Sequence, residues 1–359
     1  MRRIDPRVTE QLRDLGAKDM GACYSCGTCS ALCPLTDERA SFPRKMIRYA
    51  MLGLEEELIS SPEPWLCYYC GECSETCPRE ADPGGLMMAL RRFAIRRYLP
   101  GRIADRFTTA ISSIVTWVLL TLALTIGVIL FHDPGMDLGS VDFLSFMPLH
   151  VIHDAGVAVA VFIGLAIAAN VFSMVKAIGR PADLRSRGAS ALAGSIKDTL
   201  QEAAVQKRFG DCTDDSMRRL AHLGITYGFI GMFVATLIIM AIDYEYIHVS
   251  RSISLVLGSV SGIAAMVGTT YFIVQRIRRS RESARRSRPA DWIFLILISL
   301  SILTGYVMLG FRFLNMPMAA YVVFSVHLVV VFELMLSFPF TKFAHIVYRP
   351  IALWLAGMR

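Results

Sequence analysis

Charge is scarce in this chain, all but one cysteine falls in a short stretch, and histidine is missing from the first third. Only 19% of its 359 residues are charged, 54% are hydrophobic, and the mean hydropathy is +0.48. Soluble domains carry about 25% charged residues. The shortfall excludes a wholly water-soluble protein, although the length alone would suit two soluble domains. The opening segment MRRIDPRVTEQLRDLGAKDMGACYSC has no apolar run of the kind a secretory signal needs. No glycine-rich nucleotide-binding motif and no nucleophile constellation is present.

The charge that is present is uneven. The chain holds 37 Lys and Arg against 30 Asp and Glu, a net +7 with His neutral. A basic balance can signal nucleic acid, but residues 1–106 are nearly neutral and the excess lies in the apolar remainder. That remainder contains six runs long enough to cross a bilayer, which needs about 20 residues per helix. They lie near 107–131, 149–175, 219–242, 252–275, 291–313 and 318–346. Cations cluster in 176–219, in the arginine run 276–288 and after the last span, whereas Asp133, Asp137, Asp142, Asp243 and Glu245 gather on the other side. By the positive-inside rule both termini are expected in the cytoplasm, with the arginine run a topology signal and no nucleic acid as partner.

Eight of the nine cysteines lie between Cys23 and Cys77, and the ninth, Cys212, reads as a free thiol in a polar loop. Without an export signal the cysteines are expected in a reducing compartment, where metal ligation is favoured over disulfides. They form a repeat, CYSCGTCSALCP at 23–34 and CYYCGECSETCP at 67–78. Each copy is C-x2-C-x2-C-x3-C-P, the pattern in which three thiolates bind one cubane and the fourth reaches the other. Cluster one is therefore expected on Cys23, Cys26, Cys29 and Cys77, and cluster two on Cys67, Cys70, Cys73 and Cys33. Zinc knuckles, which pair two C-x2-C turns, and a disulfide framework are the competing readings. Between the copies, PRKMIRYAMLGLEEELI places Met46, Ile47, Ala50, Met51 and Leu54 at helical spacing. A second helix is expected from Gly85 towards Tyr98. The fold class is mainly α: an α-helical ferredoxin-like domain over 1–106, then a six-helix cytochrome b-type membrane bundle over 107–359.

All seven histidines fall in the membrane half, where a buried ionisable group is by default a functional candidate. A b-type haem takes two axial ligands from facing helices. His222 opens the third span and His345 closes the sixth, so the two are expected to clamp one haem near the cytoplasmic face, with Lys342, Arg218 or Arg219 on its propionates. His327 precedes His345 by 18 residues, five whole turns at about 3.6 residues per turn, or roughly 27 Å along one helix. That spacing suits a second haem towards the outer face. Its other ligand is His153, with Met232 as rival and His150 on the same face as His153. His132 and His248 read as solvated in outer loops, with a quinone pocket an alternative for His248. Glu333 is either a proton relay or a helix-packing residue. Arg312 with His150, Tyr244 and Tyr246 forms the candidate rim around a quinone headgroup.

Residues 20–98, through PRKMIRYAMLG, PWLCYYCGECSETCPRE and MMALRRFA, resemble the iron–sulfur polypeptide of heterodisulfide reductases. Residues from about 148 to 349, especially HLVVVFELMLSFPFTKFAH, resemble the cytochrome b subunits of that enzyme and of respiratory nitrate reductase. The fused order is similar to the membrane subunit of the quinone-interacting membrane-bound oxidoreductases of sulfur metabolism. The resemblance implies two b haems, a menaquinone site, and electron exchange with cytoplasmic flavin/iron–sulfur subunits that serve adenylylsulfate reductase. In this reading menaquinol is oxidised near the outer haem and electrons leave through the inner haem and the cubanes, the reverse direction being chemically allowed. The resemblance supports His222, His327 and His345 as haem ligands, but where the nitrate-reductase pattern has a histidine about three turns beyond His222 this chain has Met232. A membrane subunit of a heterodisulfide- or sulfite-reductase-type complex, and a haem-free anchor for the cluster domain, are the alternatives.

Overall fold

A computed structural model describes residues 3–36, 42–98, 103–108, 110–179, 189–211 and 216–357. Cys212, expected to be a free thiol, lies outside the described residues. Those residues form helices, turns and loops, with no β-strand among them. Six helices are long and apolar enough to cross a membrane: Ser112–Phe131, Leu149–Ile178, Ser216–Asp243, Arg251–Ile277, Pro289–Phe313 and Pro317–Phe340. Their outward side chains are apolar and uncovered, Ile114, Leu119 and Leu130 of the first span among them. Lipid is the solvent that makes such a surface stable, because a helix satisfies its own backbone groups there. The protein is a multi-pass membrane protein.

The spans match the hydrophobic runs except at the last. The sixth helix ends at Ser337, two short 3-10 turns follow over Phe338–Phe340 and Lys342–Ala344, and a separate helix runs over His345–Gly357. Pro339 lies in the break, and proline cannot donate the backbone hydrogen bond a continuing helix needs. The expected five-turn relation between His327 and His345 therefore does not exist. The third and fourth spans pack most closely, because a Cβ on Gly228 would lie 2.5 Å from the Ser261 carbonyl oxygen. Small residues permit such backbone approach where no hydrophobic force draws helices together in lipid.

The N-terminal part has its own core. Val8 and Leu12 of helix Pro6–Asp14 meet Met46, Ile47 and Ala50 of Arg44–Met51 and Leu86, Leu90 and Phe93 of Pro83–Tyr98. The single amphipathic helix expected between the cysteine motifs is two, Arg44–Met51 and Glu55–Ile59. Gly53 breaks it with φ +64°, where its carbonyl accepts from the Asp5 N–H at 3.0 Å. Helix Pro83–Tyr98 belongs to both halves, since Ala94, Ile95 and Tyr98 pack with Met174 and Ile178 of the second span and with Tyr348, Ala352 and Leu355.

The arginine run does more than mark a membrane face. Arg286 pairs with Asp19 at 2.7 Å and Asp82 at 3.4 Å, and Arg288 donates to the Asp14 carbonyl at 3.0 Å. Asp291, at the start of the fifth span, lies 2.8 Å from Lys342 and 3.8 Å from Arg92. The cation-rich connections thus lie on the side that carries the cysteine domain, and they clamp it to the bundle.

Candidate functional site

Both cysteine motifs turn in the same way. Ser25 and Tyr69, at equivalent places in the repeat, have positive φ of 64° and 52°. Each turns its N–H onto the sulfur two residues earlier, Ser25 to Cys23 at 3.4 Å and Tyr69 to Cys67 at 3.3 Å. The Thr28 hydroxyl lies 3.3 Å from Cys26 Sγ, and the Ala81 N–H donates to Cys77 Sγ at 3.4 Å. Hydrogen bonds of this kind stabilise thiolates.

The electrostatic coupling among the sulfurs runs mostly within the expected quartets, with Cys29 also felt by Cys33 and Cys73. Burial is the main influence raising the Cys29 thiol, and the charges that add to it are those of Cys23, Cys26 and Cys77. Burial pushes Cys33 up to about 11, and the like charges of Cys67, Cys70 and Cys29 add to it. Burial also drives Cys73 far above the ordinary thiol range, followed by the charges of Cys67, Cys70 and Cys33. Four thiols in so low a dielectric resist ionising together unless a cationic core compensates them, and an iron–sulfur cluster supplies one. Among the described residues, no three His, Cys, Asp or Glu side chains converge closely enough for a single metal ion. A cubane holds its ligands at the corners of a wider tetrahedron, so the donor set fits it.

Beside the second motif opens a cavity of about 1440 Å³ that runs through the bundle. His222, His345, His327, His153, Met232 and Arg312 all line it, although they come from different spans. The His222 and His345 ring centroids are 6.1 Å apart. Two imidazoles on one metal, with bonds of about 2.0–2.1 Å, bring their ring centres to roughly 6 Å. Their outer nitrogens face acceptors, Gln206 Oε1 at 2.9 Å from His222 Nδ1 and the Lys342 carbonyl at 2.6 Å from His345 Nδ1. Such acceptors keep the proton on Nδ1 and leave Nε2 bare for a metal. Desolvation, reinforced by the neighbouring His222, holds His345 down to about 3, so it is neutral at physiological pH.

His327 is held in the same way, with Nδ1 2.9 Å from the Thr304 hydroxyl, which itself donates to the Leu300 carbonyl at 2.6 Å. His153 is more open, 3.2 Å from Asp154 and with its ring 4.8 Å from that of Tyr244. His150 and Tyr246 are exposed and Tyr244 is half-buried, and all three lie off the cavity wall, so of the expected quinone rim only Arg312 reaches it. Asp243 and Arg251, paired at 2.6 Å, line that end instead. His132 bonds the Ile129 carbonyl at 2.7 Å and His248 is exposed. Glu333 points away from the cavity, bonded to Thr121 of the first span, which favours packing over a relay.

Of the three cations expected to meet propionates, Arg219 donates to the Val205 carbonyl off the cavity, and Lys342 is engaged by Asp291. Arg276, which sequence reasoning passed over, lines the cavity with a buried Nε that has no hydrogen-bond partner among the described residues. Gln206 and Thr304 were missed as well. Neither belongs to a motif, and each meets its histidine only through helix packing.

The fold and site together define a multi-pass membrane protein carrying a cysteine-rich iron–sulfur domain. The chain belongs to the citrate utilization protein B family, which matches residues 103–358. A 4Fe-4S dicluster domain matches residues 19–81. A heterodisulfide reductase C-like protein of Archaeoglobus profundus is 38% identical over 104 residues, 28% of this chain and 54% of that protein. Citrate utilization protein B of Escherichia coli is 33% identical over 140 residues, 37% of this chain and 36% of its own. A subunit of the H(2):CoB-CoM heterodisulfide,ferredoxin reductase of Methanothermobacter thermautotrophicus is 38% identical over 63 residues, 18% of this chain and 34% of its own. The chain thus spans about half the length, or less, of these curated relatives. No solved structure matches it.

Proposed function

We propose that this protein is the electron-transfer membrane subunit of a quinone-dependent oxidoreductase complex. In this reading residues 1–106 are a cytoplasmic domain with two [4Fe–4S] clusters, and 107–359 are a cytochrome b-type bundle in the inner membrane with both termini cytoplasmic. The observation that carries it is the meeting of the second cysteine motif with the His222–His345 pair at one end of a single cavity. Cys23, Cys26, Cys29 and Cys77 would hold one cluster, and Cys67, Cys70, Cys73 and Cys33 the other. His222 and His345 would ligate an inner b haem, and His327 an outer one with His153 or Met232. When bound, these groups supply one-electron carriers between a two-electron menaquinol and a soluble acceptor.

The chain's own side chains prepare that role. Gln206, the Lys342 carbonyl and Thr304 orient the imidazoles, and Arg276 offers a cation to a haem propionate. Arg312 stands at the outer end, where a quinone carbonyl would be met. The fused order of the two parts supports cytoplasmic flavin/iron–sulfur partner subunits linked to adenylylsulfate reductase. The relatives named as heterodisulfide reductase subunits favour a second reading, a membrane subunit of a heterodisulfide-type complex. Co-purification of the complex and identification of its soluble subunits separates the two. Iron analysis and a reduced-minus-oxidised spectrum of the purified chain test the core: about eight cluster irons and a b-type α-band are expected. A chain with clusters and no α-band is instead a haem-free anchor.

A further inference from the structure

The two cysteine quartets are not equivalent in their surroundings. Cys67, Tyr68 and Tyr69 of the second motif line the cavity that His222 and His345 share, whereas no residue of the first motif does. Arginines grip the backbone of the second motif. Arg218 of the third span donates to the Tyr68 carbonyl at 3.3 Å and to that of Tyr69 at 2.7 Å. Arg349, beyond the sixth span, donates to the Leu66 carbonyl at 3.3 Å and lies 3.5 Å over the Tyr68 ring. Arg91 donates to the Pro64 carbonyl at 2.7 Å and to that of Cys67. Hydrogen bonds from a charged donor are about twice as strong as neutral ones, so this loop is fixed to the bundle at several points.

Aromatic rings fill the space between loop and histidine. The Tyr68 and Phe209 centroids are 5.4 Å apart, and Phe209 is again 5.4 Å from His222. The first motif has the opposite setting. Cys26 is exposed, Tyr24 is 60% exposed and Leu32 is 50% exposed. Its contacts are with its own domain: Arg79 lies 5.9 Å from the Tyr24 ring and donates to the Ala22 carbonyl at 3.5 Å.

We infer that Cys33, Cys67, Cys70 and Cys73 form the membrane-side quartet, bridged to His222 by Tyr68 and Phe209, and that Cys23, Cys26, Cys29 and Cys77 form the solvent-side quartet. The inference rests on the reading of the quartets as cluster ligands. It adds an order that the repeat cannot supply, because the two copies have identical cysteine spacing. Electron exchange weakens steeply with distance, so the order sets the path: the solvent-side quartet is the one a soluble partner reaches.

The test uses the full chain in detergent with clusters loaded, read by electron paramagnetic resonance and redox titration. Thr28→Val removes the hydroxyl beside Cys26 Sγ without touching a ligand, and so marks the first quartet by a shifted midpoint potential. Cys26→Asp and Cys70→Asp, where they fold, mark the two quartets directly. A water-soluble paramagnetic metal chelate should speed the relaxation of the signal marked by Thr28→Val severalfold and leave the other nearly unchanged. Oxidised haem should do the reverse. Equal relaxation of both signals, or relaxation of the unmarked one by the chelate, overturns the order. Protein with both cluster signals and no b-type α-band sinks the haem reading alone, and the chelate still decides the order. Protein without cluster signals removes the cluster reading and this inference together.

Discussion

At the scale of single residues, the histidines are prepared by neighbours that have no motif of their own. The Gln206 amide is oriented towards His222 by its other end, whose nitrogen donates to the Thr226 hydroxyl at 3.4 Å. His222→Ala is expected to remove one b haem, read as a loss in the α-band. Gln206→Leu should keep the haem but weaken its hold about 10–100-fold, the usual effect of losing a partner to a metal ligand. A spectroscopic haem titration distinguishes the two, and an unchanged α-band in His222→Ala would refute the assignment. Repeat spacing lets the two expected quartets be written residue by residue. Gln206, Thr304 and Arg276 were not legible, because each acquires its role only where helices distant in sequence come together.

Among the elements, the pattern of apolar residues located every span but misread two interruptions. In SFPFTKFAH the hydrophobic run continues through Pro339, yet the backbone does not, and the helix restarts at His345. The reading of one helix across Gly53 failed for a similar reason: periodicity carries on while a backbone turn at φ +64° breaks the hydrogen-bond ladder. Gly53→Ala is expected to lower the stability of the cysteine domain by about 1–3 kcal/mol, since the position demands positive φ and a Cβ would lie 2.2 Å from the Asp5 carbonyl oxygen. Denaturant unfolding of the loaded protein, followed by cluster absorbance, measures this. Gly228→Leu should force the third and fourth spans apart and cost about 1–3 kcal/mol or more by overpacking. A lowered melting temperature in detergent checks it, and an unchanged one would show that the two spans do not depend on this contact.

Across the whole molecule, the clamp between domain and bundle is electrostatic at its rim and buried at Asp291. Arg286 engages Asp19 and Asp82 near solvent, so Arg286→Glu should loosen the docking with little effect on the fold of either part. Limited proteolysis of the connection near residue 103, faster in the variant and at high salt, is the expected result, because such pairs are screened. Asp291→Asn should be more damaging: it leaves Lys342 and Arg92 facing each other without their shared carboxylate. Stripping one partner from a buried pair costs about 3–5 kcal/mol, which thermal denaturation would reveal. The arginine run shows how one sequence feature carries two meanings. Its position at a membrane edge is readable from composition, whereas its contacts with Asp14, Asp19 and Asp82 depend on where the cysteine domain lies.

The sequence alone determined that the chain has six segments able to cross a membrane, because helix formation in lipid is set by apolar length within each segment. It also divided the eight motif cysteines into two expected quartets, because the turn that aims three thiolates and turns away the fourth is encoded within a dozen residues. Tertiary structure alone decided that four histidines and Met232 line one cavity, that Glu333 faces the first span, and that the second cysteine motif roofs the His222–His345 pair. Those relations join residues of separate helices, some of them more than a hundred positions apart, and only the packing of finished helices brings such residues within reach of one another.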